Sequence, residues 1–367
     1  MNENFEKPTR IASIDALRGF DMLFIIFLDR FFNSLNEGVG RPWTFAVAKQ
    51  FDHPEWFGSN IYDIVMPLFL FIVGASIPFA LSKQMEKGIG LSGIYIKLIR
   101  RFFILFILGW IVQGNLLQLD LDTFSIFSNT LQAIAVGYLF SSIAYIHLKK
   151  KGRILVFALS LLIYTLLLII PNVPGFGRGV LTPEGNFAIF VDHLVFGEFQ
   201  DGTQYTWLIS GFGFIATTLS GVFAGELIKS NLPRKKVALY LFLIGTAGLM
   251  AGILLGIWHP IIKKIWTSSF VLASSGVCFL LLSVFYWVID VKGKVSWAFP
   301  LKVVGMNAIF AYVVSHVFYF PAIAEPVLIG LKQYVGTFYN LITTIGGFGL
   351  LYLILWYLYK NKTFIKV

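Results

Sequence analysis

YDIVMPLFLFIVGASIPFALS, residues 62–82, decides the class of this chain. After Asp63 it runs from Ile64 to Ser82 without a charge. About 20 apolar residues, wound as a helix that rises about 1.5 Å per residue, match the thickness of a bilayer's hydrocarbon core. A surface helix of a soluble protein keeps one polar face, and this run has none. It needs lipid around it, or neighbours that are themselves in lipid.

Runs of this kind recur. Spans are expected near 13–36, 60–82, 98–116, 128–147, 153–171, 205–228, 236–257, 267–289, 300–320 and 338–359, and a short extra helix near 323–334 is too broken to cross. The expected fold is all-α: a polytopic integral membrane protein with about ten transmembrane helices in one bundle. Of the 367 residues, 57% are hydrophobic and 13% charged, against about 25% charged in soluble domains. A soluble fold of this size has no way to cover so much apolar surface.

The net charge of +10 raises the question of nucleic acid. Its distribution answers it. Basic residues cluster between apolar runs and form no continuous stripe, which is a topology signal and excludes a nucleic-acid partner. With the N-terminus inside, 21 of the 29 Lys and Arg residues fall in cytoplasmic segments and 6 in outer loops, Arg18 and Arg30 being within the first span. The pair Lys263–Lys264 is the clear exception to the bias. The chain then divides into a cytoplasmic segment 1–12, one transmembrane domain 13–359 and a cytoplasmic tail 360–367. The opening MNENFEKPTR is hydrophilic and the next run carries Asp15, Arg18 and Asp21, so that run reads as a retained first helix and not a signal peptide. Cys278 is the sole cysteine, which excludes an intrachain disulfide and a cysteine metal site. No H-x-x-x-H or acidic cluster is present, and no metal is expected.

Small residues give the packing. Gly248, Gly252 and Gly256 form one ridge and Gly213, Thr217, Gly221 and Gly225 another, each suited to close helix approach in lipid. The loops 37–59 and 172–204 are long, rich in Gly, Pro and polar residues, and outside in this topology, a setting in which loops often carry function. No internal repeat is clear, which weighs against an inverted-repeat transporter.

Ionisable groups inside spans cost several kcal/mol, so each is a site hypothesis. Asp15 and Arg18 share a helix face and read either as an internal ion pair or as part of a cytoplasmic ligand site. Asp29 ends the first span, His53 follows in the outer loop and Asp63 opens the second span. The three can converge at one outer mouth, where a histidine with a carboxylate is the equipment of a general base. A hydrogen-bonded surface histidine is the other reading. Asn307 and His316, about 13 Å apart on one helix, either line a polar cavity or bond neighbouring helices. His147, His193 and His259 have no evident catalytic partners.

The blocks SIDALRGFDM (13–22) and HPEWFGSNIYDIVMPLFLFIVGASIPF (53–79) resemble the signatures of the membrane acyltransferases related to heparan-α-glucosaminide N-acetyltransferase, most closely the bacterial branch. NLLQLD (115–120), NTLQAIAVGYL (129–139), LTPEGNFAIFVD (181–192), KKIWTSSFV (263–271) and IDVKG…GMNAIFAYV (289–313) extend the resemblance in order. It implies transfer of an acetyl group from acetyl-CoA to an amino sugar or related glycan beyond the membrane. It also implies His53 as the catalytic residue, general base or acetyl carrier, with Asp29 standing where the lysosomal member of the family has an Asn, and with Asp63. Candidates for the phosphates of acetyl-CoA are Arg18, Arg100 and Arg101 if it is held inside, and Lys263 and Lys264 if outside. Trp56, Asn115, Gln132, Glu184, Asn186, Trp266, Ser269 and Asn307 of the matched blocks, with His316, are candidate substrate contacts or oxyanion donors. The resemblance implies a homodimer; the short N-terminal segment and compact loops point to a bacterial inner membrane, and the charge bias places the His53 loop on its exterior face. Two other readings stay open: a transporter of a small polar solute, using Asp15, Arg18, Asp63 and His316, and an assembly subunit without chemistry.

Overall fold

A computed structural model describes residues 11–365. Lys7, Arg10 and Lys366 of the charge argument, and residues 1–10 of the cytoplasmic segment, lie outside the described residues. The helices are α1 (Ala12–Leu23), α2 (Asp29–Val39), α3 (Pro42–Lys49), α4 (Val65–Glu86), α5 (Leu91–Val112), α6 (Thr130–His147), α7 (Lys150–Ile169), α8 (Phe187–Phe196), α9 (Gly211–Lys229), α10 (Arg234–Leu255), α11 (Ser268–Tyr286), α12 (Phe299–Met306), α13 (Ala308–Val317), α14 (Phe320–Leu328), α15 (Lys332–Val335) and α16 (Tyr339–Lys360). A π-helical turn, Phe24–Leu28, joins α1 to α2, and a 3-10 turn, Ile61–Ile64, leads into α4. The sheet content is one small ribbon of β1 (Asn172–Val173) against β2 (Gly177–Arg178). The fold is all-α.

Among the described residues, six stretches are long and apolar enough to cross a membrane: Ile61–Glu86, Lys150–Ile169, Gly211–Lys229, Arg234–Leu255, Ser268–Val291 and Phe320–Lys360. A pair bent by 64°, Ser296–Met306 with Ala308–Val317, makes a seventh if taken as one span. The stretch Phe320–Lys360 is not one rod. A Cβ on Gly346 would lie 2.6 Å from Leu328 Cδ1, and one on Gly347 would lie 2.6 Å from the Pro321 nitrogen, so α14 folds back along α16. The short helix expected near 323–334 is thereby found as α14 and α15, beside the span and not across the membrane. Three more of the expected spans are helices of greater polarity: α1–α2 carries Asp15, Arg18, Asp21, Asp29 and Arg30, α5 carries Lys97, Arg100 and Arg101, and α6 carries Gln132 and His147.

Two helices show what their surroundings must be. Only 17% of the apolar window of α7 and 28% of that of α10 are buried, and Leu239, Phe242, Leu243, Met250 and Ile253 face outward. Such a continuous apolar surface is stable against lipid and not against water.

The buried helices meet through glycine. A Cβ on Gly221 would lie 2.0 Å from the Phe71 carbonyl oxygen, and one on Gly74 would lie 1.9 Å from that of Thr218, so α4 and α9 pack backbone to backbone. The ridge expected on α10 is partly displaced: Gly252 presses on Ala273 of α11, Gly248 makes ordinary contact, and the further close approaches come from Gly245 against Gly276 and Leu280 and from Gly276 against Leu249.

Two expectations need correction. The sixth span begins at Gly211 and not at residue 205, because residues 205–210 are held by the neighbouring loop, with Thr206 N–H donating to Lys264 O at 3.0 Å. The ninth span is not one straight helix. It breaks at Asn307, whose backbone leaves helical values (φ −125°, ψ 38°). The Asn307 side chain instead donates to Thr363 O (3.2 Å) and accepts from Ile365 N–H (2.9 Å), tying the break to the C-terminal segment. Asn307 and His316 therefore do not share the side of one helix.

Candidate active site

The loops at one end of the bundle are stitched into one unit, and the stitching builds the site. Asn60 donates through its side chain to Lys49 O (2.9 Å) and Asp52 O (2.8 Å). Gly58, with a positive φ of 92°, lets the loop turn and donates its N–H to Ile261 O at 2.9 Å, forming a short parallel bridge to Ile262. Trp56 Nε1 donates to Leu181 O at 2.6 Å, and Lys264 Nζ donates to Glu55 O and Gln204 Oε1, both at 2.7 Å. Four segments far apart in sequence (49–63, 181, 204–206 and 261–264) thus meet at one end of the bundle.

At their junction His53, Asp63 and Lys263 form a compact group. His53 Nδ1 is 2.6 Å from Asp63 Oδ1, and Lys263 Nζ is 3.1 Å from the same oxygen. Asn60 N–H donates to the other oxygen, Oδ2, at 2.7 Å. An ionised carboxylate only accepts, so the short contact assigns the proton to His53 Nδ1 and leaves Nε2 as the basic nitrogen. Lys263 Nζ lies 3.2 Å from Nδ1 and 3.4 Å from Nε2, nearly equidistant. With Nδ1 already donating to Asp63, the contact to Nδ1 is not a hydrogen bond, and the ammonium's directed bond is the one to Asp63.

Exposure orders the three groups. The Asp63 side chain is 0% exposed and that of Lys263 8%, whereas that of His53 is 37% exposed. A buried anion and a buried cation support an accessible imidazole. Burial pushes the Lys263 ammonium below the usual lysine value, while the Asp63 carboxylate pulls it back up. Tyr62 and Tyr205 flank the imidazole, with ring centroids 5.3 and 6.3 Å away. Asp29 accepts from Asn33 Nδ2 at 2.9 Å and lies near enough to His53 and Asp52 for their charges to act on it.

A second feature lies beside the middle of α4. A cavity of about 270 Å³ is lined by Arg18, Ser76, Arg101, Tyr138, Met306 and Ile365, among others. Arg18 donates to Asp15 (3.3 Å) and to Ser76 Oγ (2.9 Å), and the Arg101 guanidinium stands 4.2 Å over the Tyr138 ring. Arg101 Nε is buried without a hydrogen bond among the described residues. Ser76 follows Asp63 by 13 residues, so this cavity lies about 20 Å along the helix from the His53 group.

The sequence-derived candidates divide accordingly. His53, Asp63 and Asp29 gather at the loop end of the bundle, and Arg18 and Arg101 share the cavity beside the middle of α4. Arg100 is exposed and does not line that cavity. Lys263 and Lys264 belong to the same loop cluster as His53. Asn186 is fully buried as the cap of α8, Gln132 bonds Ser128 N–H and Ile126 O, Trp266 donates to Thr217, and Ser269 donates to Pro260 O. These four, and Asn307, have no hydrogen bond to His53, Asp63 or Lys263; their polar atoms hold the frame. Asn115 donates to Thr123 O within an exposed turn, Glu184 is exposed, and His316 Nδ1 contacts Tyr312 O on its own helix. Trp56 braces the His53 loop through Leu181. Sequence reasoning missed the pairing of Lys263 with Asp63 and the stapling by Asn60. The one available signal was the breach of the charge rule at Lys263–Lys264.

A family model described as a domain of unknown function, DUF5009, matches residues 10–164. Heparan-α-glucosaminide N-acetyltransferase from Homo sapiens is 26% identical over 420 aligned positions, covering 98% of this chain and 60% of that protein. The Mus musculus protein of the same name is 25% identical over 418 positions, with the same coverage. The chain thus spans about 60% of the length of these curated relatives. Over nearly its whole length, the chain is homologous to heparan-α-glucosaminide N-acetyltransferase.

Proposed function

We propose that this chain is a membrane acetyltransferase that moves the acetyl group of acetyl-CoA to an amine on an amino sugar or related extracytoplasmic glycan, with His53 as general base or transient acetyl carrier. The observation that carries the proposal is the accessible His53 ring bonded through Nδ1 to the fully buried Asp63. In this reading an acceptor amine attacks the thioester carbonyl while His53 Nε2 takes the amine proton. Asp63 holds the tautomer and offsets the positive charge that forms on the ring. The Lys263 ammonium adds a fixed positive field for the oxyanion that develops on the carbonyl.

We assign the phosphates of the donor to the cavity of Arg18 and Arg101, whose guanidinium groups suit phosphate recognition. A donor that joins this cavity to His53 must be long and slender, as CoA is with its flexible arm. The same reading keeps ten crossings, with α1–α2, α5 and α6 as polar spans around that path and both chain ends on the cytoplasmic face of a bacterial inner membrane. The polarity of those three helices is then the lining of the donor path.

The test is turnover by the detergent-purified chain with acetyl-CoA and glucosamine, read as release of free CoA. His53→Ala is expected to bind acetyl-CoA normally in calorimetry and to lose about 10²–10⁴-fold in turnover, the usual weight of a general base. Near-normal turnover in that variant, or no acetyl-CoA binding by the folded wild type, rejects the proposal.

A further inference from the structure

Among the described residues, Lys263 is the one amine in contact with the imidazole. Its Nζ lies 3.4 Å from His53 Nε2, the nitrogen that the Asp63 bond leaves basic. An acceptor amine must occupy the same neighbourhood, because the base that deprotonates it is this same nitrogen. A thioester carbonyl brought within reach of that acceptor is therefore also brought close to Lys263. The side chain is 8% exposed, so bulk solvent hardly reaches it, but it faces an imidazole that is open to ligands. Its neighbour Lys264 has a different setting, half-buried and bonded to Glu55 O and Gln204 Oε1 away from the ring.

We infer that Lys263 is a self-acetylation site: when no acceptor amine is present, its Nζ takes the acetyl group from acetyl-CoA with His53 as base. The inference rests on the acetyltransferase reading above. One C–N bond forms between Nζ and the acetyl carbon, and the C–S bond of the thioester breaks. The lysine ammonium gives up two protons. One passes through His53 to solvent and the other ends on the CoA thiol. The product, an uncharged acetamide, no longer balances Asp63. The carboxylate then stands against His53 alone, and the fixed positive field beside the reacting carbonyl is gone. Self-acetylation is thus a slow off-switch, opposed by acceptor, that shuts the enzyme when donor is plentiful and acceptor scarce.

The experiment incubates the full-length detergent-purified chain with acetyl-CoA, with and without saturating glucosamine, and maps acetylated peptides by mass spectrometry over time. Acetyl-CoA binding is measured on the same samples. Expected is an acetyl group that accumulates on Lys263, is suppressed by glucosamine, is absent in His53→Ala and His53→Gln, and tracks the loss of CoA-releasing activity. Wild-type chain that binds acetyl-CoA but leaves Lys263 unmodified overturns the inference alone. Equal labelling of Lys263 and Lys264 that persists in the His53 variants also overturns it, since that is uncatalysed acylation. Failure to bind acetyl-CoA overturns both the inference and the reading beneath it.

Discussion

Replacing Asp63 by Asn exchanges one oxygen for an NH2 and disturbs two partners at once. The amide nitrogen is a donor, so facing His53 it requires Nδ1 to accept. The imidazole proton then moves to Nε2, where the base is needed. The loss expected in turnover is about 10²–10⁴-fold, the full weight of the general base, with acetyl-CoA binding little changed. The second partner is Lys263, whose only ion pair among the described residues is the 3.1 Å contact to Asp63. Both side chains are nearly or wholly buried, so solvent screening gives no relief. Removing one member of a buried ion pair costs about 3–5 kcal/mol, whereas replacing both members by apolar groups is often nearly neutral. Asp63→Asn should therefore lower the thermal midpoint in detergent, and Asp63→Asn with Lys263→Met should recover most of that loss while turnover stays absent. The assays are thermal unfolding of the purified chain and CoA release. Turnover within a few-fold of wild type in the single variant would refute the tautomer argument. A double variant as unstable as the single one would refute the ion-pair argument.

Arg101→Ala should raise the KM for acetyl-CoA about 10–100-fold, the value of one or two charge-assisted hydrogen bonds, with a smaller effect on kcat; steady-state kinetics decide it. Asp192, in α8, accepts from Trp207 N–H at 2.6 Å and Leu208 N–H at 3.0 Å, and burial raises its pKa to about 7 in spite of those bonds. Its folded-state pKa exceeds the unfolded value, so the stability linked to its proton is complete below about pH 4 and is lost as pH rises through about 7. The thermal midpoint should fall between about pH 5 and pH 8, and Asp192→Asn should flatten that slope. Gly221→Ala puts a methyl group 2.0 Å from the Phe71 carbonyl oxygen and should cost at least about 1–3 kcal/mol, whereas Gly349→Ala meets nothing within 4 Å and should be silent; yield of monodisperse protein and thermal midpoint report both.

The class of the fold was legible because lipid imposes a crude rule, about 20 apolar residues per crossing, that survives ignorance of every contact. His53 and Asp63 were legible as a pair because only ten residues separate them and the intervening loop is short of alternatives. Lys263 was not, because 210 residues and several helices lie between it and His53, and its place depends on the Gly58–Ile262 bridge, which no local pattern announces. Asn307 misled for a related reason. Its flanking residues have good helix-forming character, and the break follows from hydrogen bonds to Thr363 and Ile365, more than fifty residues away. The buried amides and hydroxyls of Gln132, Asn186 and Ser269 look like site residues in a sequence, because a polar group in an apolar run signals cost. The structure shows that cost met by backbone partners, which sequence patterns do not display.

The π-helical turn at Phe24–Leu28 divides the first helix into two halves with separate rotational settings. Each residue in an α-helix advances the side chains by about 100°, and a π turn accommodates one residue more than an α turn does. Deleting a single residue from this segment would let it close as ordinary α-helix. Both flanks would then keep their bearings, Arg18 toward the cavity it shares with Arg101 and Asp29 and Asn33 toward the His53 mouth, because the residue removed is the one the wide turn absorbs. The turn is thus a one-residue take-up in the helix: it absorbs an extra residue so that the two ends hold their aims, and forcing it into α geometry without a deletion would swing one end by about 100° against the other.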